Sequence, residues 1–167
     1  MNKIMRKPPR FAHSSRVRGV SGFTLTELMV TVVIAAILMA VAVPSFQSII
    51  AGQRIKSATY DMFSTLTFAR SEAIKRNTNV TVAQASGGWQ NGWTVTAGAV
   101  TLSQQEATRG VAIAASATSV TYRQDGRITA VGSQTFAITS SVSVGTPGRC
   151  VTTEVSGLPK SKVGACS

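Results

Sequence analysis

A run of 21 predominantly apolar residues from Phe23 to Val43, broken by one ionisable side chain, Glu27, constrains this chain more than any other feature. At about 1.5 Å of rise per residue, a helix of that length spans a hydrocarbon core of about 30 Å. A lone carboxylate in such a helix costs roughly 2.5–3.5 kcal/mol, so Glu27 needs a partner unless it snorkels to the interface. Six cations, Lys3, Arg6, Lys7, Arg10, Arg16 and Arg18, precede Gly22 with no acidic residue among them. By the positive-inside rule they hold the N-terminus in the cytoplasm and place the rest of the chain outside it. A secretory signal puts its cut after the apolar run. Here the charged region closes in Val20-Ser21-Gly22 and the apolar run comes next. A cut between Gly22 and Phe23 removes the charges, keeps the apolar run and creates an α-amino group one helical turn from Glu27. That ammonium, or a neighbouring subunit's in an assembled filament, is the partner the carboxylate needs.

These residues carry a family likeness. Gly22-Phe23-Thr24-Leu25-Thr26-Glu27-Leu28 resembles the type IV prepilin signature, with glycine before the cut, phenylalanine first and glutamate fifth in the mature chain. Pro44 falls at the end of the apolar run, where pilins commonly carry a helix-kinking proline. The resemblance implies cleavage after Gly22 by a prepilin peptidase, which also N-methylates Phe23. It further implies that Glu27 neutralises the terminal amine of an adjacent subunit during assembly.

The helical pattern continues past Pro44. Ile55, Ala58, Met62, Leu66, Ala69 and Ala73 recur at steps of three and four and make one apolar face, with Arg54, Lys56, Asp61 and Lys75 between them. Asn77-Thr78-Asn79 ends it. One long helix from Phe23 to Arg76 is expected, kinked or frayed near Pro44 and Gly52. Leu66 to Asn77, with Ala69-Arg70-Ser71-Glu72-Ala73-Ile74-Lys75-Arg76 inside it, resembles a stretch of the GspH/FimT group of minor pilins and pseudopilins. Read as a helix, it also lets Glu72 pair with Lys75 and Arg76.

From Val80 the chain reads as short strands between turn residues: Val80–Ala85, Trp93–Ala97, Val120–Arg123, Gln134–Ser140, Arg149–Val155 and Lys160–Val163. Gly87-Gly88, Asn91-Gly92, Asp125-Gly126 and Gly145-Thr146-Pro147-Gly148 mark turns. Residues 101–119 read as a variable loop. Gly92-Trp93 and Tyr122-Arg123-Gln124-Asp125-Gly126-Arg127 resemble the strand start and hairpin of GspH/FimT proteins, and the segment around Cys150 and Cys166 resembles their C-terminal hairpin. The expected fold is α+β, the pilin fold: a long N-terminal helix, transmembrane in its first half and amphipathic in its second, packed on a small antiparallel β-sheet domain. The expected division is a leader at 1–22, a membrane or filament-core helix at 23–43, an amphipathic helix at 44–77 and a β-rich domain at 78–167. Trp89 and Trp93 are expected in the core or capping a turn, ahead of ligand stacking.

Cys150 and Cys166 lie where disulfides persist, so one bridge is expected, the alternatives being free thiols or a metal pair. Zinc would want more ligands, and the single histidine, His13, sits in the leader. No metal and no cofactor is expected. No nucleophile elbow, phosphate loop or paired carboxylates appear, so an enzyme is not expected. The formal charge of +11 falls to +5 without the leader, with 11 basic against 6 acidic residues, and whole-chain basicity is no argument for nucleic acid. Two function classes follow. The first is structural: a minor pilin that primes or tips a type IV pilus, or alternatively a minor pseudopilin of a type II secretion system. The C-terminal hairpin favours the pilus. The second is DNA capture. FimT-type members are associated with it through a basic Gly-Arg-x-Arg segment, against which this chain has Gly157-Leu158-Pro159-Lys160-Ser161-Lys162. Arg149, Lys160 and Lys162 are the candidate contacts, with Arg123 and Arg127 as extensions of the patch. The expected partners are other pilin subunits, the prepilin peptidase, the inner membrane and, on the second reading, DNA. The expected location is the inner membrane, crossed once with the domain in the periplasm, and then the filament.

Overall fold

The structure, a computed structural model, describes residues 22–166. The expected leader lies outside these except for Gly22. The chain divides into two compact units, one ending at Met39 and one running from Ala40 onward.

Helix α1 runs from Leu25 to Arg76 without a break at Pro44 or Gly52, so the fraying expected there is absent. Its start is capped by Thr24, whose Oγ1 accepts the Glu27 backbone N–H at 3.2 Å. Its end is a Schellman motif. Asn77 takes a positive φ of 50°, its N–H bonds the Ile74 carbonyl, and the Thr78 N–H bonds that of Ala73. The first unit contains the start of this helix, and the helix as a whole is long and apolar enough to cross a membrane, with every described side chain exposed from Leu25 to Ile50.

In the second unit, the face formed by Ile55, Ala58, Met62, Leu66, Ala69 and Ala73 is buried, each residue at most 1% exposed. Two four-stranded antiparallel sheets complete the core. The first has the order β3-β2-β1-β5, from β1 (Val80–Gln84), β2 (Gly92–Ala97), β3 (Val100–Glu106) and β5 (Ser119–Tyr122). The second has the order β4-β6-β7-β8, from β4 (Val111–Ala115), β6 (Gln134–Ser140), β7 (Arg149–Thr153) and β8 (Pro159–Val163). The α+β expectation holds, with the β part split into two sheets.

Residues 101–119, expected as a loop, instead supply β4, most of β3 and the start of β5. β3 is an edge strand rich in Thr, Ser and Gln with no buried face, and only its pairing with β2 makes it a strand. β4 does alternate, with Val111 and Ile113 buried, but the alanines between them leave little contrast to read.

Trp89 and Trp93 belong to the core. The Trp89 ring meets Phe136 edge-on at 5.0 Å and donates its N–H to the Ala117 carbonyl. Trp93 donates to Thr65 Oγ1 on the helix at 3.0 Å. Gly92 before it must be glycine, because at its φ of 104° a Cβ would run into the Gln105 carbonyl of β3.

A second knot ties helix to sheet. Arg70 Nε donates to the Gly126 carbonyl at 3.1 Å, and Gly157 packs so closely on the same carbonyl that no side chain fits there. Beneath lies Tyr122, fully buried, its hydroxyl and that of Thr153 neighbours that do not meet in hydrogen-bond geometry. Burial pushes the Tyr122 phenol up to about 12, opposed by the Thr153 hydroxyl and the Arg70 charge.

Leu66→Ala opens a cavity at the centre of the helix face and is expected to lower unfolding free energy by about 2–5 kcal/mol, read from denaturant midpoints of the mature chain in detergent. The folded chain holds the Tyr122 proton more tightly than the unfolded one. This contribution is therefore full below pH 10 and declines as pH rises from 10 towards about 12. Tyr122→Phe should lose that alkaline decline relative to the parent in the same denaturant titrations.

Candidate functional site

The N-terminal junction is built from a cap. Gly22 and Phe23 are exposed and outside the helix, Thr24 is its cap, and Glu27 occupies the first turn. Thr24-x-x-Glu27 is the spacing of a capping box, a helix-start signal readable in the sequence. A carboxylate there is favoured by the positive end of the helix dipole. Glu27 is exposed, so its carboxylate is open to a cationic group from outside the chain. Pro44 lies inside α1, 17 residues further on.

At the other end of the chain Cys150 and Cys166 form a disulfide with Cα atoms 5.2 Å apart, which removes the free-thiol and metal-pair alternatives. Cys150 is buried in β7, and the bond draws the segment after β8 back over that strand. The Gly164 N–H adds a bond to the Gly148 carbonyl at 2.8 Å. Among the described residues, no three histidine, cysteine, aspartate or glutamate side chains gather as a metal centre would require.

The candidate DNA contacts are not brought together. Register pairs Arg149 with Val163, Cys150 with Lys162 and Thr152 with Lys160. Strand alternation then puts Lys160 and Lys162 on one face of the β7–β8 hairpin and Arg149 on the other. Arg149 lies beside Tyr60 and Phe63 of α1. Lys160 Nζ pairs with Glu154 at 2.6 Å, and Arg123 pairs with Asp125 at 3.4 Å.

Comparison with known proteins places this geometry. The family profile described as type II transport protein GspH matches residues 58–157, and the prokaryotic N-terminal methylation motif matches residues 17–43. The chain belongs to the GspH family. Its fold is similar to the crystal structure of the type IV minor pilin FimU of Pseudomonas aeruginosa, with TM-score 0.60 and 19% identity over 66% of this chain and 89% of that one. It is also similar to the minor pseudopilin EpsH from the type 2 secretion system of Vibrio cholerae, with TM-score 0.53 and 15% identity over 65% and 96% of the two chains. No curated protein matches significantly.

In this GspH-family chain two of the sequence stretches that resemble the family, 66–77 and 122–127, meet in space, since Arg70 of the first bonds Gly126 of the second. Glu72, also in the first, is largely buried and pairs with Arg76 at 2.5 Å and Lys75 at 3.7 Å. The Arg76 hydrogen bond, helped by the Lys75 charge and opposed by burial, holds its carboxyl below the usual range. Arg70 thus ties the helix to the domain, whereas Glu72, Lys75 and Arg76 pair along the helix itself.

The disulfide closes a separation of 16 residues. Cys166→Ser is expected to cost about 3 kcal/mol of stability, measured as a shift in denaturant midpoint that reduction of the parent reproduces.

Proposed function

We propose that this chain is a minor subunit of a type IV pilus, acting in pilus biogenesis or tip priming. A prepilin peptidase cuts it after Gly22 and N-methylates Phe23. Before assembly it sits in the inner membrane through residues 23–43 with its domain in the periplasm. The observation that carries the reading is the junction: a non-helical Gly22-Phe23 pair, a cap at Thr24 and an exposed carboxylate at Glu27 in the first turn of an apolar helix. Cutting there supplies an ammonium, and stacked helices bring one subunit's ammonium to the next subunit's Glu27. In a surrounding of low dielectric, that pairing offsets the cost of holding a carboxylate among apolar side chains.

The family and the fold serve pilus and secretion filament alike. The disulfide-closed C-terminal hairpin favours the pilus. DNA capture stays outside the proposal, because Arg149 lies across the hairpin from Lys160 and Lys162, and Glu154 neutralises Lys160.

Glu27→Ala should leave membrane insertion and cleavage intact and reduce recovery of the subunit in sheared filaments. Normal incorporation would sink the charge pairing. Deleting the gene should reduce surface piliation and leave type II secretion unchanged. The opposite pattern assigns the subunit to the secretion filament.

A further inference from the structure

No charged residue occurs between Glu27 and Arg54, a stretch of 26 residues. As a helix this is about 39 Å long, beyond the hydrocarbon core of about 30 Å and close to the 40–45 Å of a bilayer with its headgroups. Residues just past Val43 therefore belong at the depth of the headgroups. Uncharged throughout, they include three exposed apolar side chains, Phe46, Ile49 and Ile50.

The domain adds a loop to this same stretch. Residues 141–148, Ser-Val-Ser-Val-Gly-Thr-Pro-Gly, connect β6 to β7 and contain no charge. They lie against two turns of α1. Val144 and Thr146 share a shallow cleft with Ser48, Ile49 and Gly52, and Val142 shares another with Gln47, Ile50 and Arg54. The loop is held by its own bonds. Ser140 Oγ accepts the backbone N–H groups of Val142 and Ser143, Thr146 Oγ1 donates to Ser143 Oγ, and the Ser141 N–H bonds the Gly110 carbonyl. So fixed, it presents Val142 at 65% and Val144 at 106% exposure.

We propose that residues 141–148, with Phe46, Ile49 and Ile50, form a seat on the lipid bilayer, with Val142 and Val144 inserted among the headgroups on the domain's side. The lipid surface is the occupant because the seat continues the apolar membrane run without a charge between them. Both parts can enter the interface with no ion to desolvate, and Arg54 stands at the outer limit where a cation reaches phosphate. Docking of this kind fixes the domain's orientation while the subunit waits in the membrane. The proposal rests on the reading of residues 23–43 as a membrane span.

The test uses the mature chain in vesicles of phosphatidylethanolamine and phosphatidylglycerol. Val142→Cys, Val144→Cys, Ser71→Cys and Ile37→Cys are labelled one at a time with an environment-sensitive fluorophore, the native cysteines being protected as a disulfide. Quenching is read from lipids spin-labelled at the headgroup and deep in the chain. Labels at 142 and 144 should shift to the blue and lose emission to the headgroup quencher. The label at 37 should respond to the deep one, and the label at 71, about 28 Å further along α1 than Gly52, to neither. Labels at 142 and 144 that behave like 71 while 37 is quenched would overturn the seat and leave the span standing. If 37 is not quenched either, both readings fall. A blue shift at 142 and 144 that needs high protein density and ignores the lipid quencher would mean that a second copy covers the loop, and the lipid proposal is lost.

Discussion

The buried stripe on α1 from Ile55 to Ala73 is the surface on which the rest of the domain depends. Both sheets contribute to one core with it: Val80, Val82, Val95 and Val120 from the first, and Val111, Phe136, Ile138 and Val151 from the second. Each sheet is four strands wide and buries its apolar face in this shared core. Small residues at 58, 69 and 73 let the strands come close to the helix, and Ile55, Met62 and Leu66 fill the gaps between them. The polar bonds at the edges, Trp93 to Thr65 and Arg70 to Gly126, then fix which way the sheets lie along the helix.

The same helix has two kinds of residue pattern because its two parts face different solvents. Beyond Ala51 one face is apolar and the other polar, as a helix on a water-exposed domain requires. From Leu28 to Val43 the residues are apolar all round but for Thr31, and every described side chain there is exposed, which water does not favour and a bilayer or a filament core does. Glu27 and Thr24 mark where this part begins. Arg54 marks where charge becomes tolerable again.

Much of this was legible from the residues. The helix face was readable because steps of three and four persist across nineteen positions, from Ile55 to Ala73. The six strands read from the sequence correspond to β1, β2, β5, β6, β7 and β8, each with apolar alternation or a strong turn signal beside it. β3 escaped because an edge strand buried on neither face carries no alternation to detect. The division into two sheets escaped because it depends on which strands pair, a long-range choice with no local mark. For the site, the N-terminal motif and the disulfide could be read, since both rest on residue type and spacing. The separation of Arg149 from Lys160 and Lys162 could not, because it turns on cross-strand register, where a slip of one residue changes which face a side chain occupies.

The cap at Thr24 bears on the cut proposed after Gly22. Backbone inside a helix is closed to a protease, whose active site grips an extended strand of substrate. By ending the helix at its own position, Thr24 keeps the Gly22–Phe23 bond in open backbone, while the next turn is already helical. On that proposal, the hydroxyl that starts the helix also separates open backbone, which a protease can grip, from helical backbone, which it cannot.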